Sequence, residues 1–400
     1  MKLNWNGIRS LVQNTKDVQQ IALANIAGKI IAGIFWFYMA AVLGTENYGH
    51  VNYLIAIGSM GAAVSMVGTS NTIIVYAAKK IPIESTLYTI ALIIGTIASI
   101  VLYFLFGNII VCVFVFGYIV YNLGIGELLG KKFYKKYSII LVLQKILFVS
   151  FALLFYNFIG FEGVVLGFGL SMLAFLPVII NGYRETRIDF SILKPRFGFM
   201  MNNYGLTIEK ILSGQLDKLI IAPMFGFALL GNYALSIQFY SVMSMLPNIV
   251  FQYTLSRDAS GKSNSTIKKI SIGSSVLIAA AGITLSPIVI PIVFPEYVES
   301  IELVQILSIH VISNAIMLAY SSKFLGQEKS KYVLISQGIS VIVYIGGLLT
   351  LGLLIGINGV AISLVLAGMG QAIFYIVSAQ YLKNQELNKN KNKDEKWLKI

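Results

Sequence analysis

NYGLTIEKILSGQLDK, residues 203–218, runs without a break into LIIAPMFGFALL at 219–230. On a helix, Asn203, Thr207, Lys210, Gly214 and Asp217 fall at i, i+4, i+7, i+11 and i+14, one polar stripe on an otherwise apolar cylinder. That is the reverse of a soluble amphipathic helix. The surrounding chain has a mean hydropathy of +0.79, so lipid takes the apolar face and the stripe turns inward. Ionisable groups inside a bilayer are costly, and they line paths or sites.

On both sides of this helix lie apolar windows of about 20 residues, the length that crosses a hydrocarbon core of ~30 Å. They fall near 21–43, 51–76, 86–106, 109–129, 138–158, 161–182, 202–225, 228–254, 270–293, 301–322, 333–355 and 359–382, twelve in all. A chain that is 57% hydrophobic and 12% charged is an all-α integral membrane protein and not a soluble multidomain one. The single cysteine, Cys112, sits in an apolar run, so an intrachain disulfide and a cysteine-based metal cluster are both excluded. The opening MKLNWNGIRSLVQNTKDVQQ lacks the apolar core of a secretory signal, which leaves insertion to the first span.

The net charge of +13 is a matter of topology. With a cytoplasmic N-terminus, 26 of the 30 basic residues fall in cytoplasmic segments, including Lys131, Lys132, Lys135 and Lys136 between spans four and five. The outer loops hold Glu46, Glu162, Glu296, Glu299 and Glu302 and no basic residue, so the positive-inside rule is met at every turn. Nucleic-acid binding thereby loses its main support. Residues 383–400, rich in Asn and Lys, are expected to form a disordered cytoplasmic tail.

Two halves repeat. GKIIAG at 28–33 returns as EKILSG at 209–214, KKY at 135–137 as SKY at 330–332, and IGFEGVV at 159–165 as IGINGVA at 355–361. An offset of six spans restores the same membrane orientation, so the halves, 1–195 and 196–382, form parallel six-helix repeats with substrate sites between them.

Four basic residues remain inside the spans, Lys29, Lys145, Lys210 and Lys218, against the acids Glu209 and Asp217, with Glu127 near a cytoplasmic end. This cationic balance suits an anionic ligand such as a phosphate. Lys29 and Lys145 also lie within snorkelling reach of the interface, and Asp217 with Lys218 equally reads as a structural ion pair. Asn25 shares a face with Lys29. His310, in the tenth span, joins Asp217 and Glu209 as a candidate for ion coupling, with a packing histidine as the plainer reading, and His50 reads as solvated at an outer helix start. No GxSxG, HExxH or Walker sequence occurs, so neither an enzyme, a resident metal nor a cofactor is expected.

LGTENYG at 43–49, SGQLDKLIIAPMFG at 213–226, LLGNYALS at 229–236, and FPEYVES followed by LVQILS at 294–308 resemble polysaccharide repeat-unit flippases. These belong to the multidrug/oligosaccharidyl-lipid/polysaccharide exporter superfamily. The resemblance, from about residue 20 to 380, implies two six-helix bundles in a V around a central cavity, in a bacterial cytoplasmic membrane with both termini cytoplasmic. It implies as cargo an O-antigen or other oligosaccharide on undecaprenyl pyrophosphate, flipped by alternating access among membrane lipids, with a polysaccharide polymerase and chain-length regulator as partners. Asp217 matches the acidic position of the family's seventh helix. Lipid II flippases are similar but typically carry two further helices. A cation-coupled multidrug exporter of the same superfamily and a non-transporting scaffold for glycan assembly are the alternatives.

Overall fold

The computed structural model describes residues 5–259, 265–327 and 329–397, with side chains from residue 20 onward except at 206, 209–213, 256, 259, 383 and 386–397. Among the described residues the regular structure is entirely helical: α1 (Trp5–Met66), α2 (Thr69–Ala78), α3 (Glu84–Phe106), α4 (Ile109–Gly130), α5 (Tyr134–Ile159), α6 (Phe161–Met172), α7 (Leu176–Glu185), α8 (Phe197–Phe225), α9 (Phe227–Met243), α10 (Met245–Ala259), α11 (Ser265–Val293), α12 (Ser300–Gly326) and α13 (Ser330–Trp397).

By length and composition eight helices can cross a membrane, or nine if α9 and the first part of α10, bent by 44°, form one span. Two of these are 47 and 53 residues long, far beyond a bilayer's ~30 Å at ~1.5 Å per residue, and each breaks in the middle. The breaks are at Gly44 in α1 and at Ile355–Gly356 in α13, so each is two spans. Helix α8 is not among them and carries Glu209, Lys210, Asp217 and Lys218. Counting it, the spans are compatible with the expected twelve.

The breaks show why the halves resemble each other. Gly160, between α5 and α6, has φ 67 and ψ −146, and Gly356 has φ 66 and ψ −147, a region that almost only glycine enters. In both copies a second glycine follows three residues on and lets the new helix touch the old one. A Cβ on Gly163 would lie 2.2 Å from the Phe155 carbonyl oxygen, and one on Gly359 would lie 2.0 Å from that of Leu351. The IGFEGVV and IGINGVA match is therefore one backbone device used twice.

Two compact units, Met1–Gly231 and Asn232–Ile400, divide the chain. The division lies beyond the 195/196 position that the repeat suggests, because α8 packs along α1 and α2. Glycine also joins α1 to the start of α9: Gly49 meets the Phe227 carbonyl and Gly231 meets that of Thr45, where any Cβ would clash. Near the other end of α8, Gly68, with φ 71, leaves room for the Met200 carbonyl and interrupts the span expected at 51–76. In the second unit α12 is central, packed on α10, α11 and α13. The tail expected to lack structure continues α13 as a helical backbone to Trp397, in keeping with the good helix formers Lys, Glu and Gln there.

Candidate functional site

Within the first unit, α1, α4, α5 and α6 converge on Lys145. Its aliphatic stem lies against Gly28, where a Cβ would be 3.4 Å from Cγ and 3.7 Å from Cε. The ammonium ends 5.9 Å from the Tyr121 ring centroid and 6.0 Å from that of Phe168, within cation–π range of both. Among the described residues no carboxylate pairs with it. Lys145 thus ends among aromatic rings of its own bundle.

Polar groups lie on the same helices. Asn25, three residues before Gly28 on α1, donates through Nδ2 to the Ile21 carbonyl at 2.9 Å and accepts from the Tyr137 hydroxyl at 3.2 Å. Gln144, fully buried, donates to Ser171 Oγ at 2.9 Å, while its Oε1 has no donor among the described residues. Lys29, next to Gly28, is exposed and likewise has no acidic partner among the described residues. Asn25 thus lies one turn before the glycine that packs on Lys145, and exposed Lys29 lies next to that glycine. Tyr121 and Phe168 were not legible as site residues, since each comes from another helix, and Tyr137, two turns before Lys145 on α5, carries no local pattern.

Lys218 is engaged. Lys218 Nζ lies 3.4 Å from Asp217 Oδ1 and donates to the Gly214 carbonyl at 2.9 Å, an interaction contained within α8. The polar stripe is only partly interior: Asn203 and Asp217 are buried, but Gly214 is exposed with open space beside it. Asn203 and Thr207 bond to carbonyls of their own helix four residues back. Glu209 and Lys210 lie outside the residues whose side chains are described.

A second charged cluster joins α3, α4 and α7. Buried Glu127 accepts from the Tyr88 hydroxyl and from Lys131 Nζ at 2.7 Å, and Lys131 also meets Glu185 at 2.6 Å. In the second unit, Asp258 accepts from Lys268 and from Ser322 Oγ, tying α10, α11 and α12.

His310 is buried in that unit, with Nδ1 3.0 Å from Ser313 Oγ and its ring stacked on Tyr240 at 5.0 Å. It fits because Gly368 has no side chain: a Cβ there would lie 2.3 Å from Cε1. This is packing first. His50 corrects the solvated reading, for its ring is stacked between Phe227 at 3.6 Å and Phe161 at 5.1 Å. Among the described residues no group of three or more His, Cys, Asp or Glu can hold a metal ion.

Chemically, an uncompensated ammonium set among aromatic faces and amide and hydroxyl groups suits an anion with sugar attached. The fold is that of a multi-pass helical membrane protein. No protein-family model and no curated protein matches the sequence. Among solved structures, the lipid II flippase MurJ in an inward closed conformation aligns with a TM-score of 0.74 at 14% identity, covering 90% of this chain and 87% of that one. An inward-facing multidrug resistance MATE family transporter of the MOP superfamily aligns at 0.64 with 14% identity, covering 90% and 96%. A MATE transporter in complex with MaL6 aligns at 0.60 with 15% identity, covering 94% and 97%. What these proteins share with the chain is the fold. All three are transporters and none is an enzyme.

Proposed function

We propose that the protein is a flippase for lipid-linked oligosaccharides, moving repeat units on undecaprenyl pyrophosphate across a bacterial cytoplasmic membrane by alternating access. The observation that carries this reading is Lys145, a cation held against Gly28 inside the first unit without an acidic partner among the described residues. A pyrophosphate supplies the missing negative charge, and the partly exposed Asn25 offers hydrogen bonds to sugar hydroxyls. Lys29 and Lys210 would extend the cationic path, and Asp217, Glu209 and His310 remain the coupling candidates.

A multidrug exporter is the second reading, favoured by the MATE likenesses. Its usual cationic cargo would be repelled by an unpaired ammonium, whereas a phosphorylated one is attracted.

The test is surface glycan display in a cell lacking its own flippase. Lys145→Gln should lower display at least about tenfold, the loss expected when a charge-assisted hydrogen bond of ~1.5–3 kcal/mol disappears, with membrane abundance unchanged. Lys145→Arg should retain part of it. Full export by Lys145→Gln would sink the assignment.

A further inference from the structure

KKFYKK, residues 131–136, spans the turn between α4 and α5 and the first residues of α5, and only the first of its four lysines has an acidic partner among the described residues. Lys131 is held by Glu127 and Glu185. Lys132, Lys135 and Lys136 are exposed, and no carboxylate pairs with them among the described residues. With Phe133, Tyr134 and Ile139 they line a groove of about 560 Å³. Phe133 and Ile139 are more than half exposed, so the floor that carries the amines is apolar.

The turn is a built element. Lys132 adopts φ 61, the Phe133 N–H donates to the Leu128 carbonyl at 2.8 Å, and the Lys132 N–H donates to that of Leu129 at 3.1 Å. This is the left-handed cap that closes a helix, formed here without glycine. The Tyr137 N–H then bonds the Phe133 carbonyl at 2.9 Å, which starts α5 at once. Three cations are thereby held over one apolar groove at the end of two spans, where acyl chains meet water.

We infer that this groove binds the headgroup of an anionic phospholipid, with the phosphodiester between Lys132, Lys135 and Lys136 and the upper acyl chain against Phe133 and Ile139. Charge complementarity selects the occupant: basic pockets between spans attract phosphorylated headgroups, and an exposed aromatic beside them belongs at headgroup depth. The distribution of positive residues places the groove on the cytoplasmic leaflet. A soluble acidic protein would satisfy the lysines but would leave the apolar floor without acyl chains. The inference does not depend on which cargo the transporter carries.

The test uses the delipidated full-length chain in detergent, titrated with phosphatidylglycerol or phosphatidylcholine of matched acyl chains and read by native mass spectrometry. The wild type should bind one phosphatidylglycerol at least about tenfold more tightly than phosphatidylcholine, given that each basic residue near such a surface contributes about fivefold. Lys132→Gln with Lys135→Gln and Lys136→Gln should abolish the preference. Lys323→Gln with Lys329→Gln and Lys331→Gln, a control on the same side, should keep it. Phe133→Ala should weaken both lipids alike. Inorganic pyrophosphate in tenfold excess should leave the lipid bound. Equal affinity for the two lipids, an equal loss in the control triple, or displacement by pyrophosphate would each overturn the assignment.

Discussion

At the scale of residues, two side chains separate binding from stability. Gly28 sets where Lys145 lies, and its Cβ space is limited but not closed. Gly28→Ala should therefore be nearly silent. Gly28→Leu should displace the lysine stem and depress glycan display well below what its stability loss, about 1–3 kcal/mol for an overpacked contact, accounts for. Display and melting temperature measured on the same variants decide this, and a display loss no larger than the stability loss explains would remove Gly28 from the site. Glu127 is the opposite case. Removing it leaves the Tyr88 hydroxyl without its acceptor and halves the compensation of Lys131, so Glu127→Ala should cost about 3–5 kcal/mol, as breaking a buried pair does. Burial pushes the Lys131 amine down, but hydrogen bonding to Glu127 and Glu185 and the field of Glu127 and Glu84 outweigh this, and its pKa rises. A raised pKa gives a contribution that is full below the ordinary lysine value and lost as pH climbs through the folded one. The melting temperature should thus hold level between about pH 6 and pH 9 and drop only in strong alkali.

At the scale of elements, the glycine breaks were legible and the helix partners were not. IGFEGVV and IGINGVA announced matched joints because a left-handed backbone demands glycine locally, and a local demand leaves a local trace. Gly160→Ala and Gly356→Ala should each cost about 1–3 kcal/mol. Neither glycine has a heavy atom within 4 Å of its missing Cβ, so strain and not a clash is the cause, and the double variant should show the sum. Thermal unfolding of the three variants checks this, and silent substitutions would refute the shared device. The surroundings of Lys145 left no such trace. Its charge marked it, but Gly28, Tyr121 and Phe168 reach it from three other helices, and that convergence is a property of packing. The polar stripe of α8 misled in part for the converse reason. Periodicity finds a face, yet Asn203 and Thr207 satisfy themselves on their own helix carbonyls and need no cavity.

At the scale of the whole molecule, orientation follows from charge, because translocating a basic segment is what insertion avoids. The protein carries its own means of testing this. Cys112 is its single cysteine, buried, with its thiol 3.2 Å from the Ser99 carbonyl, so the wild type is a silent background for thiol labelling. A cysteine replacing exposed Lys135 and one replacing exposed Glu296 lie at opposite ends of spans by the charge argument. A membrane-impermeant maleimide should label Glu296→Cys in intact spheroplasts and Lys135→Cys only in inverted vesicles, each by at least about tenfold over the other side. The opposite pattern would put the lipid groove on the outer leaflet and would reverse the direction of flipping. Labelling of both sites from one side would mean an even number of spans between them, whereas the helices from α5 through α11 supply an odd one only if the charged α8 crosses the membrane.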